Sequence, residues 1–140
     1  RGLGDVYKRQ VLMRRDAPLA KKEAIGPKDL WDKPLILSRQ HRAGSALSMW
    51  LKREEADLNI VATYSLLYNG SILVDEGLGY AITLDKIINT QGGNLCFRPL
   101  IPTLQAGLCV VWKKYQVLTK ASELFLNTLQ SNLETAESEA

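Results

Sequence analysis

Residues 58–84 read LNIVATYSLLYNGSILVDEGLGYAITL, and the fold class follows from this stretch. Ile60 to Thr63 is a short apolar run rich in β-branched residues, the pattern of a buried strand. Thr63-Tyr64-Ser65 reads as a polar turn. The helix expected after it turns Leu66, Leu67, Leu73 and Val74 toward a core. Gly77 stands where a helix C-terminal cap is expected, and Gly77-Leu78-Gly79 leads into a second buried strand. Strand, turn, helix and strand in that order make the unit of an α/β fold. A strand's C-terminal end meets a helix N-terminus at Thr63-Tyr64-Ser65. Backbone N–H groups are unpaired there, the helix dipole favours anions, and open α/β sheets bind ligands at such crevices. A small-molecule binding module is therefore the first expectation.

The flanking sequence extends the same alternation. Upstream, Val11–Arg14 reads as a strand and Asp16–Ala20 as a turn, and Pro27 suits the first turn of a single helical turn reaching Leu30. Pro34–Leu37 is a further strand, ending in Ser38-Arg39-Gln40-His41. A helix from Ala43 to Glu55 would bury Leu47, Trp50 and Leu51. Downstream, Asp85–Ile88 reads as a helical turn and Gln91–Asn94 as a tight connection. Leu95–Arg98 and Leu108–Trp112 read as strands on either side of the rigid segment Pro99–Pro102. A closing helix is expected from Thr119 to Leu133, capped by Thr119, with Ala121, Leu124, Phe125 and Leu129 on one face. Residues 134–140 are acidic and poor in apolar side chains, and are expected to be disordered. Pairing is expected to be mostly parallel.

Composition narrows the function classes. At 140 residues and 46% hydrophobic, the chain can bury one ordinary core without disulfide staples. Its apolar runs fall far short of the roughly 20 residues that span a bilayer, and no signal peptide opens it. Cys96 and Cys109 lie in apolar runs without CxxC spacing and read as reduced core cysteines of a cytoplasmic protein. The formal charge is +3, of which Arg1, Lys8 and Arg9 against Asp5 supply +2. Residues 1–10, RGLGDVYKRQ, lack clean periodicity and resemble a translated sequencing-adapter scar, so they are set aside as a non-native leader. What remains is +1, so the case for a nucleic-acid patch largely disappears.

Several elements, in order, resemble the C-terminal part of a LysR-type transcriptional regulator. They are Leu12–Ala20 (LMRRDAPLA), Asp29-Leu30 with Lys33–Leu37 (KPLIL), and Val74–Ala81 (VDEGLGYA). Phe97–Leu100 (FRPL), Val111–Lys114 (VWKK) and the helix around Ser122–Leu129 complete the set, which covers about residues 11–133. The resemblance implies a type 2 periplasmic-binding-protein-like domain of two α/β lobes with a small effector between them. Residues 18–90 would form the second lobe and 95–133 a return into the first. The winged helix-turn-helix, linker helix and most of the first lobe of such a regulator have no counterpart here. DNA binding would belong to that absent N-terminal domain, and the regulator would work as a homo-oligomer, a dimer or tetramer.

Carried over by position, Ser38-Arg39-Gln40 and Thr63-Tyr64-Ser65 resemble second-lobe cleft segments. Hydroxyls and free N–H groups at a helix start suit a carboxylate, and Arg39 could add a charge-assisted bidentate contact, so an anionic metabolite is the expected effector. For Thr63 and Ser65 the competing account is ordinary helix capping. Gly77-Leu78-Gly79 follows a helix and enters a strand, the reverse of a dinucleotide loop. His41 has no second His or Cys nearby and is expected at the surface, so neither a metal nor a cofactor is expected. Glu54-Glu55 and Asp75-Glu76 point about 100° apart on a helix and cannot converge for acid–base work. No nucleophile constellation stands out, and the chain is expected not to be an enzyme. The competing reading is a solute-binding protein of a transport system with the same fold.

Overall fold

The computed structural model describes residues 7–41, 45–107, 111–113 and 115–138, with the side chains of 133–138 outside the description. The chain divides into two units, residues 8–106 and residues 1–7 with 107–140. The first holds a six-stranded sheet in the order β3-β2-β4-β1-β5, with β6 also paired to β1. Its strands are β1 (Tyr7–Arg14), β2 (Leu35–Ser38), β3 (Ile60–Tyr64), β4 (Tyr80–Leu84), β5 (Leu95–Pro99) and β6 (Gln105–Ala106). Helix α1 (Ala46–Leu51) joins β2 to β3, and α2 (Leu67–Asp75) joins β3 to β4.

Alternation along the strands sends side chains to two apolar layers. Val11, Met13, Leu35, Leu37 and Ile82 pack with Leu47, Trp50 and Leu51 of α1. Leu12, Ile36 and Ala81 pack on the other face with Leu67 and Val74 of α2. A sheet covered on both faces explains the near-continuous apolar runs of β1, β2 and β4. Each fully buried Leu or Ile there contributes roughly 1.5–3 kcal/mol of transfer free energy.

The sheet is mixed rather than mostly parallel. β2 runs parallel to β3 and to β4, whereas β1 runs antiparallel to β4 and β5. Tyr7–Gln10 is part of this pairing, since Arg9 lies opposite Leu84 and Gln10 opposite both Thr83 and Pro99. Strand β1 thus begins four residues before the apolar run at Val11, because main-chain bonds hold a polar strand end as well as an apolar one.

Local rules account for the element ends. Ser45 caps α1, accepting from Ser48 N at 3.4 Å, and the helix stops at Leu51 because Lys52 adopts φ 53°. The left-handed region costs an L side chain about 1 kcal/mol. This ends α1 four residues before Glu55, and Glu55–Asp57 forms a separate 3-10 turn. Pro27–Leu30 forms the expected single turn, with Asp29 accepting from Gly26 N at 2.9 Å. At the end of α2, Gly77 takes φ 80°, its N–H meets Val74 O, and Leu78 N–H meets Leu73 O. That pair of bonds is the Schellman cap expected of Gly77. Asp85-Lys86 is a turn and not helical, with Lys86 at φ 62°.

In the second unit, α3 runs Lys120–Ser138, five residues beyond Leu133 and into the stretch expected to be disordered. Glu134, Ala136 and Glu137 favour helix, and no Gly or Pro interrupts the run. Thr119 Oγ1 accepts from Ser122 N at 3.2 Å, as expected of the cap. Leu124 and Phe125, two of the apolar residues expected on one face, are exposed. The helix therefore rests on propensity and capping rather than on burial of those two. Val111 and Trp112 are exposed and belong to no strand, and residues 108–110 of that expected strand, with Cys109, lie outside the described residues. Cys96 is a free, buried cysteine of β5. Among the described residues, no helix is long and apolar enough to cross a membrane.

Candidate ligand-binding site

The parallel pairing of β2 with β3 brings their C-terminal ends together. Leu37 lies opposite Thr63 and Ser38 opposite Tyr64. Arg39 N–H donates to Tyr64 O at 2.9 Å, which ties the chain leaving β2 to the end of β3. The turn beyond is closed by His41 N–H to Ser38 O at 2.8 Å and by Gln40 N–H to Ser38 Oγ at 3.3 Å. A cavity of about 180 Å³ opens at this edge, lined by Leu37, Ser38, Arg39, His41, Glu55, Ile60 and Thr63.

Three of the six residues expected at the site therefore line one cavity, namely Ser38, Arg39 and Thr63. Gln40 and Ser65 are exposed beside it and do not line it. Tyr64 is the largest departure. It closes β3 instead of forming a turn, is buried, and donates its hydroxyl to Ile82 O at 2.9 Å. Burial pushes its phenol pKa up, away from ionisation. Gly70 of α2 packs on its ring, where an added Cβ would stand 3.0 Å from two ring carbons. Tyr64 is thus a core residue under the site. The capping account of Thr63 and Ser65 is also corrected, since the residue before α2 is Leu66 and no side chain caps that helix.

Glu55 also lines the cavity, and so does His41, which could border a cleft or sit on the surface and for which the surface is the favoured expectation. His41 stands at the cavity because the turn after β2 folds back, a consequence of tertiary pairing that spacing does not display. Ser45 Oγ lies 3.2 Å from its Nδ1 and Ser48 Oγ 3.4 Å from its Nε2. Both ring nitrogens thus face serine hydroxyls, so no carboxylate orients the ring as it would in a hydrolase triad. Desolvation holds its pKa below the usual histidine value, against a smaller raising effect of Glu55 and with further lowering by Arg9. Arg9 belongs to the same end of the sheet, opposite the last residue of β4, and its Nε is buried without a partner among the described residues. The Arg39 guanidinium has no ion-pair or hydrogen-bond partner among the described residues. No cluster of His, Cys, Asp and Glu among them could hold a metal ion.

The pH dependence follows in sign. The folded-state pKa of His41 lies below its unfolded value, so the unfolded chain binds the proton more readily. That contribution to stability is fully present above about pH 6.5 and is lost as pH falls through the lowered folded value. Urea unfolding at pH 7.5 and 5.0 should therefore show a larger acid loss in the wild type than in His41→Asn.

A model of the LysR substrate-binding domain matches residues 6–134. The chain belongs to the LysR substrate-binding domain family. Solved LysR proteins share its fold. The effector-binding domain of QuiR in complex with shikimate superposes with TM-score 0.74 at 18% identity, covering 96% of this chain and 66% of that one. The LysR regulator HinK from Pseudomonas aeruginosa gives 0.72 at 18%, covering 95% of this chain and 48% of that one. The C-terminal domain of a probable LysR regulator from Rhodococcus sp. RHA1 gives 0.72 at 15%, covering 90% and 64%. This LysR domain thus spans about half the length of the HinK regulator. No curated protein sequence matches it.

Proposed function

We propose that this LysR domain senses a small hydroxylated carboxylate at the C-terminal ends of β2 and β3. The observation that carries the proposal is the cavity shared by Ser38, Arg39 and Thr63, with the Arg39 guanidinium unpaired among the described residues. A guanidinium suits a carboxylate bidentately. Ser38 and Thr63 offer hydroxyls, and Glu55 accepts from a ligand hydroxyl rather than from a second anion. The shikimate held by the QuiR effector domain is itself a hydroxylated ring carboxylate, which supports this class. At about 180 Å³ the cavity suits a small metabolite or the polar end of a larger one.

The role is regulatory and non-catalytic. His41 sits between two serines, and Tyr64 is committed to the core. In the whole cytoplasmic regulator, residues 18–90 would form the second lobe of a two-lobe domain. Effector binding would bias the arrangement of subunits in a dimer or tetramer, and through it DNA binding by an N-terminal winged helix-turn-helix. The family match supports this reading over solute capture for transport.

Calorimetric titration with shikimate and a panel of hydroxycarboxylates tests the proposal. At least one should release heat with 1:1 stoichiometry. Arg39→Gln should weaken it about tenfold to a hundredfold, the effect of losing a charge-assisted hydrogen bond worth roughly 1.5–3 kcal/mol. Heat that is unchanged in Arg39→Gln would place the ligand elsewhere.

A further inference from the structure

We infer that the domain carries a second small-molecule site, for a flat apolar ring bearing one carboxylate, on the outer face of α1. A cavity of about 500 Å³ lies there, walled by Pro27, Trp31, Met49, Trp50 and Pro102. None of the residues lining it also lines the crevice at the strand ends. Its size falls within the range of ordinary ligand pockets, roughly 300–1,000 Å³.

Both indole N–H groups are already committed to main-chain carbonyls. Trp31 Nε1 donates to Leu51 O at 2.8 Å, and Trp50 Nε1 donates to Pro102 O at 2.6 Å. The rings are thereby fixed in place with their polar atoms satisfied, so they present apolar surface to an occupant. Met49, on the same wall, is 68% exposed, which is unusual for so large an apolar side chain beside two tryptophans. A ring sliding between them would cover it.

Charge at the rim selects the occupant. Among the described residues, the only charged side chains lining this cavity are Lys28 and Lys52. Neighbouring Lys22 and Lys33 pair with Asp29 and Asp32, whereas Lys28 and Lys52 have no ion-pair partner among the described residues. An adjoining hollow shares Trp31, Met49 and Lys52 and adds Arg53, Glu54 and Asp57, so its charges balance, whereas the charge lining this cavity is cationic alone and favours a carboxylate. Arg53 stacks over Trp31, 4.3 Å from the ring centroid, and stiffens the wall between the two.

Lys52 gives an independent sign. It occupies the left-handed C-cap of α1, where glycine is the least strained residue. A lysine held in that conformation at the mouth of an apolar cavity, with its ammonium unpaired among the described residues, is accounted for by an anionic ligand group.

The test uses 2-naphthoate as the probe, with neutral 2-naphthamide beside it, titrated into the chain by calorimetry. Naphthoate should bind saturably and quench tryptophan emission, and naphthamide should bind more weakly. Lys52→Gly should weaken naphthoate about tenfold without lowering the melting temperature, since glycine relieves the strained backbone. Loss of binding in that variant therefore cannot be ascribed to unfolding. Lys28→Gln should weaken it further, and Arg39→Gln should leave it unchanged. Absence of saturable binding would overturn the inference. So would equal affinity in Lys52→Gly, or a loss caused by Arg39→Gln, which would assign the probe to the strand-end crevice.

Discussion

Gly79→Ala is expected to destabilise the domain by about 3 kcal/mol. A Cβ at Gly79 would stand 2.4 Å from the Pro34 carbonyl oxygen, 3.0 Å from its carbon and 3.2 Å from the Pro34 Cβ. The two nearest atoms belong to backbone, so no flexible side chain can swing away. That same oxygen accepts from Tyr80 N–H at 2.9 Å, the bond that starts the pairing of β2 with β4 at Leu35 opposite Tyr80. Relief of the clash must therefore move β4 away from β2 and weaken the parallel core of the sheet. Thermal unfolding should show a fall of roughly 10 °C at this chain length. Gly77→Ala, strained only through its positive φ, should cost markedly less. Equal effects at the two positions would show that close approach is not what Gly79 serves.

Ile36→Ala is expected to cost about 3–4 kcal/mol. Ile36 has no exposed surface and sits on the middle strand of the parallel trio, opposite Ala62 on one side and Ala81 on the other. Both neighbours are alanines, so the space vacated by the truncated side chain has little nearby volume to fill it. It belongs to the buried cluster of Leu12, Tyr64, Leu67 and Val74, in which Tyr64 is held by its hydroxyl bond to Ile82 O. The cost thus combines lost transfer free energy with a cavity that cannot collapse. Ile36→Val, which keeps the β-branch, should lose only about 1 kcal/mol. Urea titration should show the midpoint falling with an unchanged slope for both.

What the sequence displayed, and what it hid, divide along physical lines. The strand at Ile60, the helix after it and the cap at Gly77 are local, set by apolar periodicity and by one residue's access to positive φ. So is the burial of Leu47, Trp50 and Leu51 on one face of α1. Strand direction is not local. β1 and β5 carry the same apolar signature as β2 and β4, and only the tertiary path makes them antiparallel. The N-terminal end of β1 leaves no periodicity in Tyr7-Lys8-Arg9-Gln10, because main-chain bonds hold it whatever the side-chain type.

The site was half legible for the same reason. Ser38, Arg39 and Thr63, carried over from the resemblance to LysR cleft segments, line one cavity at the strand ends. Tyr64 does not. Between Thr63 and Ser65 it reads as part of a polar turn, yet its ring fills the space above Gly70 and its hydroxyl finds a partner inside. His41 and Glu55 arrive at the cavity by the folding-back of two connections, and the spacing between them carries no trace of that meeting.

The central claim is that ligand recognition resides at the joined ends of β2 and β3. Amide chemical-shift mapping of the ¹⁵N-labelled chain during titration with shikimate and a set of hydroxycarboxylates tests it most directly. The account predicts that a binding member shifts the amides of Ser38–His41 and Thr63–Leu66 most strongly, with the same signals silent in Arg39→Gln. Saturable shifts confined to other segments, or none across the set, would contradict it.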